Sequence, residues 1–303
     1  MAYKSLTRYA YLAIFTAIIT TSLKSIAYLV TGSVGLLSDA LESVVNFAAA
    51  LMALFMLKLA EKPPDAEHMY GHTKAEYFSS VLEGILIIMA ALSIALAAVN
   101  RFINPKPLQQ LSIGLIICTF ASLINFIVSR ILIKTGRKER SITLEADGHH
   151  LMTDVWTSIA VISALILVKI SGLVILDPIF GVIVAINIVI TGFNLIKRSY
   201  MGFMDSSITK EEQKIIKNIL AKYCQQEIQY HGLRTRQSAT RRFVSVHILV
   251  PDSWSVKKGH RFIEKIEKEI VSSIPKVTVT THLEPLNDSA SWNDVGIDRK
   301  MVK

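Results

Sequence analysis

The sequence predicts an α-helical membrane protein with six transmembrane helices, followed by a small cytoplasmic α+β domain. Hydrophobic residues make up 51% of the chain and charged residues only 19%, with a mean hydropathy of +0.42. This composition is too apolar for an ordinary soluble protein. The excess lies in six runs, each close to the roughly 20 apolar residues that a helix needs to cross a bilayer. The chain after Asp205 has ordinary polarity and contains no such run.

The six apolar runs define the predicted membrane helices and a transmembrane domain at residues 1–204. Their approximate limits are 9–30, 34–59, 77–98, 111–133, 144–170 and 173–196. The first run is long and lacks a small-residue cleavage pattern. We therefore interpret it as a retained helix rather than as a signal peptide.

The basic residues between the runs predict the topology. One set of connections is rich in lysine and arginine, namely Lys4, Arg8, Lys58, Lys62, Lys74, Lys134, Arg137, Lys138, Arg140, Lys197 and Arg198. The opposite connections hold only Arg101, Lys106 and Lys169. Because basic loops stay on the cytoplasmic side of a membrane, both termini are predicted to be cytoplasmic. This distribution explains the net charge of +9 without nucleic acid as a partner.

Residues 205–288 are predicted to form a cytoplasmic domain with the order α-β-β-α-β. Helical spacing covers 208–224 and 256–272, whereas 227–237, 242–250 and 276–283 have the composition or alternation of strands. Such an order is typical of helices packed on one face of a sheet. The remaining residues, 289–303, are predicted to be disordered.

Polar residues within the second and fifth runs are the first candidates for a functional site. A charged group in mid-bilayer costs about 2.5–3.5 kcal/mol on insertion scales, so such residues are functional candidates. Glu42 and Asn46 are four residues apart and share one helix face, as do His150 and Asp154. Together they offer an imidazole, two carboxylates and an amide oxygen, which suit a divalent metal. Asn46 alone would equally fit a hydrogen bond between helices, and Asp147 is expected near the membrane surface.

Four segments carry a resemblance to a known family. They are SDALES at 38–43, YGH at 70–72 followed by Lys74 and Glu76, ADGHH at 146–150 followed by Asp154, and LRTRQS at 233–238. Over nearly its full length the chain resembles the cation diffusion facilitator family, of the bacterial zinc and iron efflux type. The resemblance implies a homodimeric, multi-pass protein of the bacterial inner membrane that exchanges divalent metal ions for protons. It also implies a ferredoxin-like, metallochaperone-like cytoplasmic domain and no organic cofactor.

The resemblance places the transport site on Glu42, Asn46, His150 and Asp154. The second helix of zinc-transporting members commonly supplies two aspartates, or a histidine and an aspartate, whereas this chain supplies glutamate and asparagine. The site therefore carries one negative charge fewer than a site with two aspartates on this helix. The amide oxygen is also a harder ligand than imidazole. Zn²⁺ is the first expectation for the substrate, and Fe²⁺, Mn²⁺, Co²⁺ and Cd²⁺ remain open.

The loop between the second and third runs holds a second candidate site. Asp65, His68 and His72 match a peripheral metal site in some members of the family. The spacing of the two histidines suits one helical turn, although the intervening Met69 to Gly71 stretch disfavours a helix. The alternative is an ordinary solvated polar loop.

The remaining histidines lie in the cytoplasmic domain. The resemblance implies a dimer-stabilising, regulatory metal site at or near His231, His247, His260, His282 and Glu284. His282 and Glu284 share a strand face by the period of two, and His260 fits a plain surface position as well.

Lys74 and Asp205 match positions that form a salt bridge between the membrane and soluble parts of related members. Such a bridge would position the two parts relative to each other, because a surface pair contributes only about 0–1 kcal/mol.

These observations predict a metal efflux transporter that works by metal/proton antiport. An enzyme is not predicted, because no His-Glu-x-x-His pattern or comparable catalytic set is present in the sequence. A channel is disfavoured because pores use rings of ligands rather than one compact site. A membrane metal sensor or structural protein remains an alternative, since binding and transport use the same ligands.

Overall fold

The computed structural model of the chain forms two units, Met1–Met201 and Gly202–Lys303. It describes residues 6–31, 34–104, 112–171, 176–225 and 227–293. The first unit is helical, and the second combines helices with a three-stranded sheet.

Six long helices form the first unit. They are α1 (Thr7–Thr31), α2 (Val34–Ala60), α3 (Ala75–Ile103), α4 (Ser112–Glu139), α5 (Ile142–Ser171) and α6 (Leu176–Phe203). The shortest has 25 residues and the longest 30. At a rise of about 1.5 Å per residue, even the shortest is about 37 Å long, which exceeds the roughly 30 Å hydrocarbon core of a bilayer.

Three stretches of the described residues are both long and apolar enough to cross a membrane. They are Thr7–Ile26, Ala75–Asn100 and Thr119–Glu139, and a shorter apolar stretch covers Asn46–Ala60. The helical architecture predicted for this part is confirmed by the structure. The number of six crossings stays a prediction.

Small side chains let the helices of the first unit approach closely. Ala10 and Ala13 of α1, Ala50 of α2, and Leu132 and Leu144 at the α4–α5 contact belong to one buried cluster. Helix α1 packs on α2 and α4, and α5 packs on α4 and α3. This arrangement, typical of helices in membranes, brings the polar faces of α2, α4 and α5 together.

A polar network joins the helices near the connection between α4 and α5. The buried Glu145 accepts hydrogen bonds from Arg137 at 3.2 Å and from Arg198 at 2.5 Å. The hydroxyl of Ser141 donates to the Glu76 carboxylate, and Thr143 donates to the Glu76 carbonyl at 3.1 Å. These contacts fix the relative height of α3, α4, α5 and α6.

The second unit follows the order α7 (Lys210–Tyr223), β1 (Gln229–Ser238), β2 (Arg241–Val250), α8 (Val256–Ser273) and β3 (Val277–Pro285). The predicted α-β-β-α-β order is confirmed. Strand β2 is central, antiparallel to β1 and parallel to β3. A capping box between Thr209 and Glu212 begins α7, and Ser255 caps α8.

The core of the second unit lies between the two helices and one face of the sheet. Its buried members include Ile216, Leu220, Ile266 and Ile270 of the helices and Val244, Val246 and Ile248 of β2. Because side chains alternate along a strand, the intervening Ser245 and His247 point to the other face. That face is left available for a functional site.

The end of the chain differs in part from the predicted disorder. Ser289–Trp292 forms a 3-10 turn capped by Asp288, whose side chain accepts from the Ala290 amide at 2.9 Å. The Trp292 indole N–H donates to the Leu286 carbonyl at 3.2 Å. The composition of this segment did not indicate these local hydrogen bonds. Residues 294–303 lie outside the described part of the chain.

Candidate metal centres

Three buried side chains meet between α2 and α5. We call Asn46, His150 and Asp154 the buried triad; they are 7%, 4% and 5% exposed. The Nε2 atom of His150 lies 2.6 Å from Oδ1 of Asn46, and Nδ2 of Asn46 donates to Oδ2 of Asp154 at 2.7 Å. The structure thus brings together three of the four residues predicted for the transport site.

The fourth predicted ligand, Glu42, lies one helical turn before Asn46 on α2. Its side chain is outside the described part of the structure, and its role as a ligand stays a prediction. Lys24 of α1 is 3% exposed and interacts electrostatically with His150. A positive charge here would offset part of the negative charge that carboxylate ligands bring into the helical unit.

The structure adds Asn125 of α4, which sequence reasoning missed. Its side chain is 2% exposed, and its Nδ2 atom donates to Oδ2 of Asp154 at 3.4 Å. Asp154 therefore accepts hydrogen bonds from two amides on different helices, which restrain its carboxylate. A signal was present in the sequence, because Asn125 is the one amide side chain in the run at 111–133.

The buried triad has the donors of a divalent-metal site. An imidazole nitrogen, a carboxylate oxygen and an amide oxygen suit Zn²⁺ and its neighbours in the first transition row. Asn46 bridges the other two side chains by hydrogen bonds. A bound ion would replace these bonds, and it needs His150 neutral and Asp154 ionised.

Asp147 is 2% exposed within the helical unit, and its position near the membrane surface stays a prediction. Residues on every side of α5 are covered near this point, because α5 packs against α2, α3 and α4. A position one turn from the buried triad thus carries a second buried acid.

The loop between α2 and α3 brings its three predicted ligands together. The Asp65 carboxylate lies 3.4 Å from Nδ1 of His68 and 3.3 Å from Nε2 of His72. The ring centroids of the two histidines are 4.5 Å apart. We call Asp65, His68 and His72 the loop cluster, and its donors lie within 4.8 Å of one another.

A turn rather than a helix forms the loop cluster. Gly71 adopts a φ of +82°, and its amide donates to the His68 carbonyl at 2.8 Å. The backbone amides of His68 and Glu67 donate to the Asp65 carboxylate at 2.7 and 3.1 Å. The His68 amide is the main reason why the pKa of Asp65 is lowered from its ordinary value. The ionised carboxylate is the form that binds a metal ion.

Three histidines lie side by side across the sheet of the second unit. His247 of the central strand is the register neighbour of His231 on β1 and of His282 on β3. Glu284 contacts all three imidazoles, at 2.7 Å from His231, 3.2 Å from His247 and 3.5 Å from His282. We call these four residues the sheet cluster. One carboxylate surrounded by three imidazoles is a plausible ligand set for zinc.

Trp292 stacks on the sheet cluster, a contact that sequence reasoning did not foresee. Its ring lies 5.5 Å from the His231 ring at an interplanar angle of 19°. The stack limits the rotation of His231, while the exposed His282 keeps one side of the cluster open to solvent.

A bulge in β1 shapes the sheet cluster, and Gly232 is its central residue. Gly232 has a φ of +60°, and a Cβ there would lie 3.4 Å from Cδ2 of His247. Gly232→Ala is expected to weaken zinc binding about tenfold, since this backbone conformation costs about 1–2 kcal/mol in a residue with a Cβ. Zinc titration of the full chain measures this effect. The exposed Thr278→Ala is the matched control, and an unchanged affinity of Gly232→Ala would contradict the expectation.

His260 and the predicted Lys74–Asp205 bridge are not joined to these clusters within the described chain. His260 is exposed on α8, and its neighbour Gly259 packs against Leu283. Leu283 alternates with His282 and Glu284, so α8 covers the face of the sheet opposite to the sheet cluster. The predicted bridge between Lys74 and Asp205 would join the two units and stays a prediction; Asp205 accepts from Arg236 at 3.2 Å.

Cys224 is a poor candidate for a ligand. Burial raises the pKa of its thiol to about 11, so it stays protonated at neutral pH, and metal binding requires the thiolate.

Comparison with known proteins gives two family matches. Residues 10–204 match the cation efflux transmembrane domain, and residues 208–286 match the cytoplasmic domain of cation efflux proteins. Together the two matches cover most of the chain.

Individual relatives cover nearly the whole chain. An uncharacterized transporter of Synechocystis is 45% identical over 284 residues, 94% of this chain and 92% of the relative. The cation-efflux pump FieF of Cronobacter sakazakii is 28% identical over 278 residues, 92% of each chain. Among solved structures, the candidate zinc transporter CzrB is 26% identical and aligns over 26% of this chain and 96% of its own, with a TM-score of 0.25.

Proposed function

Because the chain belongs to the cation efflux family, also called the cation diffusion facilitator family, we propose that it exports divalent transition-metal ions in exchange for protons. Members of this family are metal-ion transporters and not enzymes, and the protein is a membrane protein with a helical transmembrane domain.

The observation that carries the proposal is the buried triad. Polar and ionisable side chains in the interior of a membrane protein mark substrate pathways, because burying them is costly. Asn46 of α2 lies within hydrogen-bonding distance of both His150 and Asp154 of α5, a helix far from α2 in the sequence. Glu42, one turn away on α2, would complete a set of four ligands.

The same ligands explain coupling to protons. A metal ion binds to neutral His150 and ionised Asp154, whereas protons bind to the same atoms when the metal is absent. Metal and protons therefore compete, and a proton gradient drives metal uphill if helix movements expose the site alternately to each side. A site that holds a metal ion or protons also carries less unbalanced charge than the empty ionised site. The protein therefore moves the filled site from one side of the membrane to the other more easily than the empty one.

Zinc is the first choice of substrate. The imidazole of His150 and the carboxylate of Asp154 are common zinc ligands, and the relative FieF is named a cation-efflux pump. The amide oxygen of Asn46 is a harder ligand than imidazole, so Fe²⁺, Mn²⁺, Co²⁺ and Cd²⁺ belong in the same test.

The remaining clusters fit regulation of a homodimer. The second unit matches the cytoplasmic domain of cation efflux proteins, and we assign metal binding by the sheet cluster to stabilisation of the dimer. The loop cluster is a peripheral site, and Lys74 with Asp205 would position the two units. The bacterial inner membrane is the proposed location.

Transport by purified protein in proteoliposomes tests the proposal. An inward metal gradient is applied for each of the five metals, while an internal pH dye follows protons. Uptake of at least one metal with alkalinisation of the lumen is expected, because protons leave as metal enters. Metal binding to the protein without any uptake would contradict transport and favour a membrane metal sensor. Uptake without a pH change would contradict the exchange for protons but not metal transport itself.

A further inference from the structure

Two buried acids of the helical unit belong neither to the metal site nor to the polar network of Glu76 and Glu145. Glu83 of α3 is 1% exposed and Asp147 of α5 is 2% exposed. Oε2 of Glu83 and Oδ2 of Asp147 have no hydrogen-bond partner among the described residues. The same holds for the hydroxyls of Ser79 and Ser80, which are 1% and 0% exposed and lie one turn before Glu83. Four buried polar atoms of α3 and α5 therefore lack a hydrogen-bond partner within the described part of the chain.

The packing of α3 on α5 brings the two acids to the same level. The contact between Thr143 and the Glu76 carbonyl aligns the two helices at their start. Glu83 lies about two turns after Glu76, and Asp147 one turn after Thr143. Ile87, one turn after Glu83, and Ala146, the residue before Asp147, belong to one buried cluster at this contact. We call Glu83 and Asp147 the carboxyl pair.

Helix α6 closes the carboxyl pair off from the surroundings. A Cβ on Gly84 would lie 3.0 Å from the Gly192 carbonyl oxygen, so the backbones of α3 and α6 nearly touch beside Glu83. Ile87, Ala146 and Ile188 belong to one apolar cluster at this contact. The environment therefore has a low dielectric, in which two neighbouring carboxylates repel each other strongly.

No described cation neutralises the carboxyl pair. On α5, Glu145 is paired with Arg137 and Arg198, and on α3, Glu76 is bound to Ser141. Other ionisable groups on the packed helices have partners or are exposed: His150 lies 2.6 Å from Asn46, Lys24 interacts with His150, and Lys58 and Arg130 are exposed. His149, two residues after Asp147, is partly buried. Residues 179–196 of α6 contain no ionisable side chain.

We propose that Glu83 and Asp147 hold one shared proton in the metal-free protein and form a proton-binding site separate from the metal ligands. Two carboxyl groups in one apolar site cannot both ionise, and a shared proton supplies the donor that their oxygens lack. Asp147 is three residues before His150, a spacing that makes them neighbours on a helix. A divalent ion at the buried triad stabilises the ionised pair, so the proton passes to bulk water as metal binds.

This inference rests on the proposed metal site and gives the antiport a second proton carrier. Proton release on zinc binding is measured with a pH dye on the full-length protein in weak buffer. Glu83→Gln and Asp147→Asn keep the side-chain volume and cannot share a titrating proton. Each is expected to release about one proton fewer per zinc than the wild-type protein, while zinc affinity at alkaline pH stays within about threefold. The exposed Glu211→Gln is the control and should match wild type.

Infrared difference spectra of the wild-type protein provide a measurement that needs no variant to fold. Zinc binding should remove a C=O band of a protonated carboxyl group. Absence of that band change, or an unchanged proton count in both folded variants, would overturn the proposal. These readouts follow binding and not flux. If the wild-type protein moved no metal, the proposed function would fail while the proton count would still test the carboxyl pair.

Discussion

Asp154→Asn is expected to abolish metal uptake into proteoliposomes while leaving the protein folded. Asparagine keeps the volume of the side chain and can still accept the hydrogen bond that Asn46 donates to Asp154 at 2.7 Å. It removes the charged oxygen ligand. The positive charge of a bound metal ion is then no longer balanced by Asp154 in the buried site. Losing a partner outside the ligand shell costs about 10–100-fold in metal affinity, so losing the charged ligand should cost more than 100-fold.

Asn125→Ala is the graded comparison for this prediction. Asn125 only orients Asp154, through a 3.4 Å hydrogen bond. Its loss is expected to weaken metal affinity about 10–100-fold and to leave measurable flux. Metal flux in Asp154→Asn at the wild-type rate, with normal size-exclusion behaviour and helical content, would remove Asp154 from the transport site.

Glu284→Gln is expected to abolish zinc binding at the sheet cluster and with it the zinc-dependent stabilisation of the dimer. The buried carboxylate contacts the imidazoles of His231, His247 and His282. Three neutral imidazoles without a carboxylate leave the charge of the ion unbalanced in a largely buried site. Calorimetric titration of the full-length protein should show the loss of the corresponding zinc sites, and the thermal midpoint should no longer rise with zinc.

His260→Ala is the matched control for Glu284→Gln, because His260 is exposed on α8 behind the sheet. It should bind zinc as the wild-type chain does. Loss of zinc sites in His260→Ala would show that this residue does serve the cluster, for example across a dimer. Zinc-dependent dimer stability that survives in Glu284→Gln would assign the regulation to another site.

The sequence predicted the helical unit well because its signal is strong. Apolar runs of about 20 residues have few alternatives to membrane helices, and the period of two along a strand put His282 and Glu284 on one face. The i,i+4 pair of His150 and Asp154 likewise put two ligands on one helix face before any tertiary contact was known.

Tertiary contacts account for what the sequence did not reveal. Asn125 binds Asp154 from α4, and Glu83 meets Asp147 from α3. Both depend on which helices pack together, and periodicity within one helix contains no such information. Trp292 was assigned to a disordered tail because its stacking on His231 and its bond to Leu286 are not visible as a repeating pattern.

Anomalous diffraction at the zinc edge from zinc-soaked crystals of the full-length protein tests the central claim most directly. We expect an anomalous peak at the buried triad, about 2.0–2.2 Å from Nε2 of His150 and from a carboxylate oxygen of Asp154. Such a peak, absent in Asp154→Asn, would establish the ion that the membrane helices bind. Zinc peaks at the loop and sheet clusters with none at the buried triad, in protein that transports zinc, would contradict it.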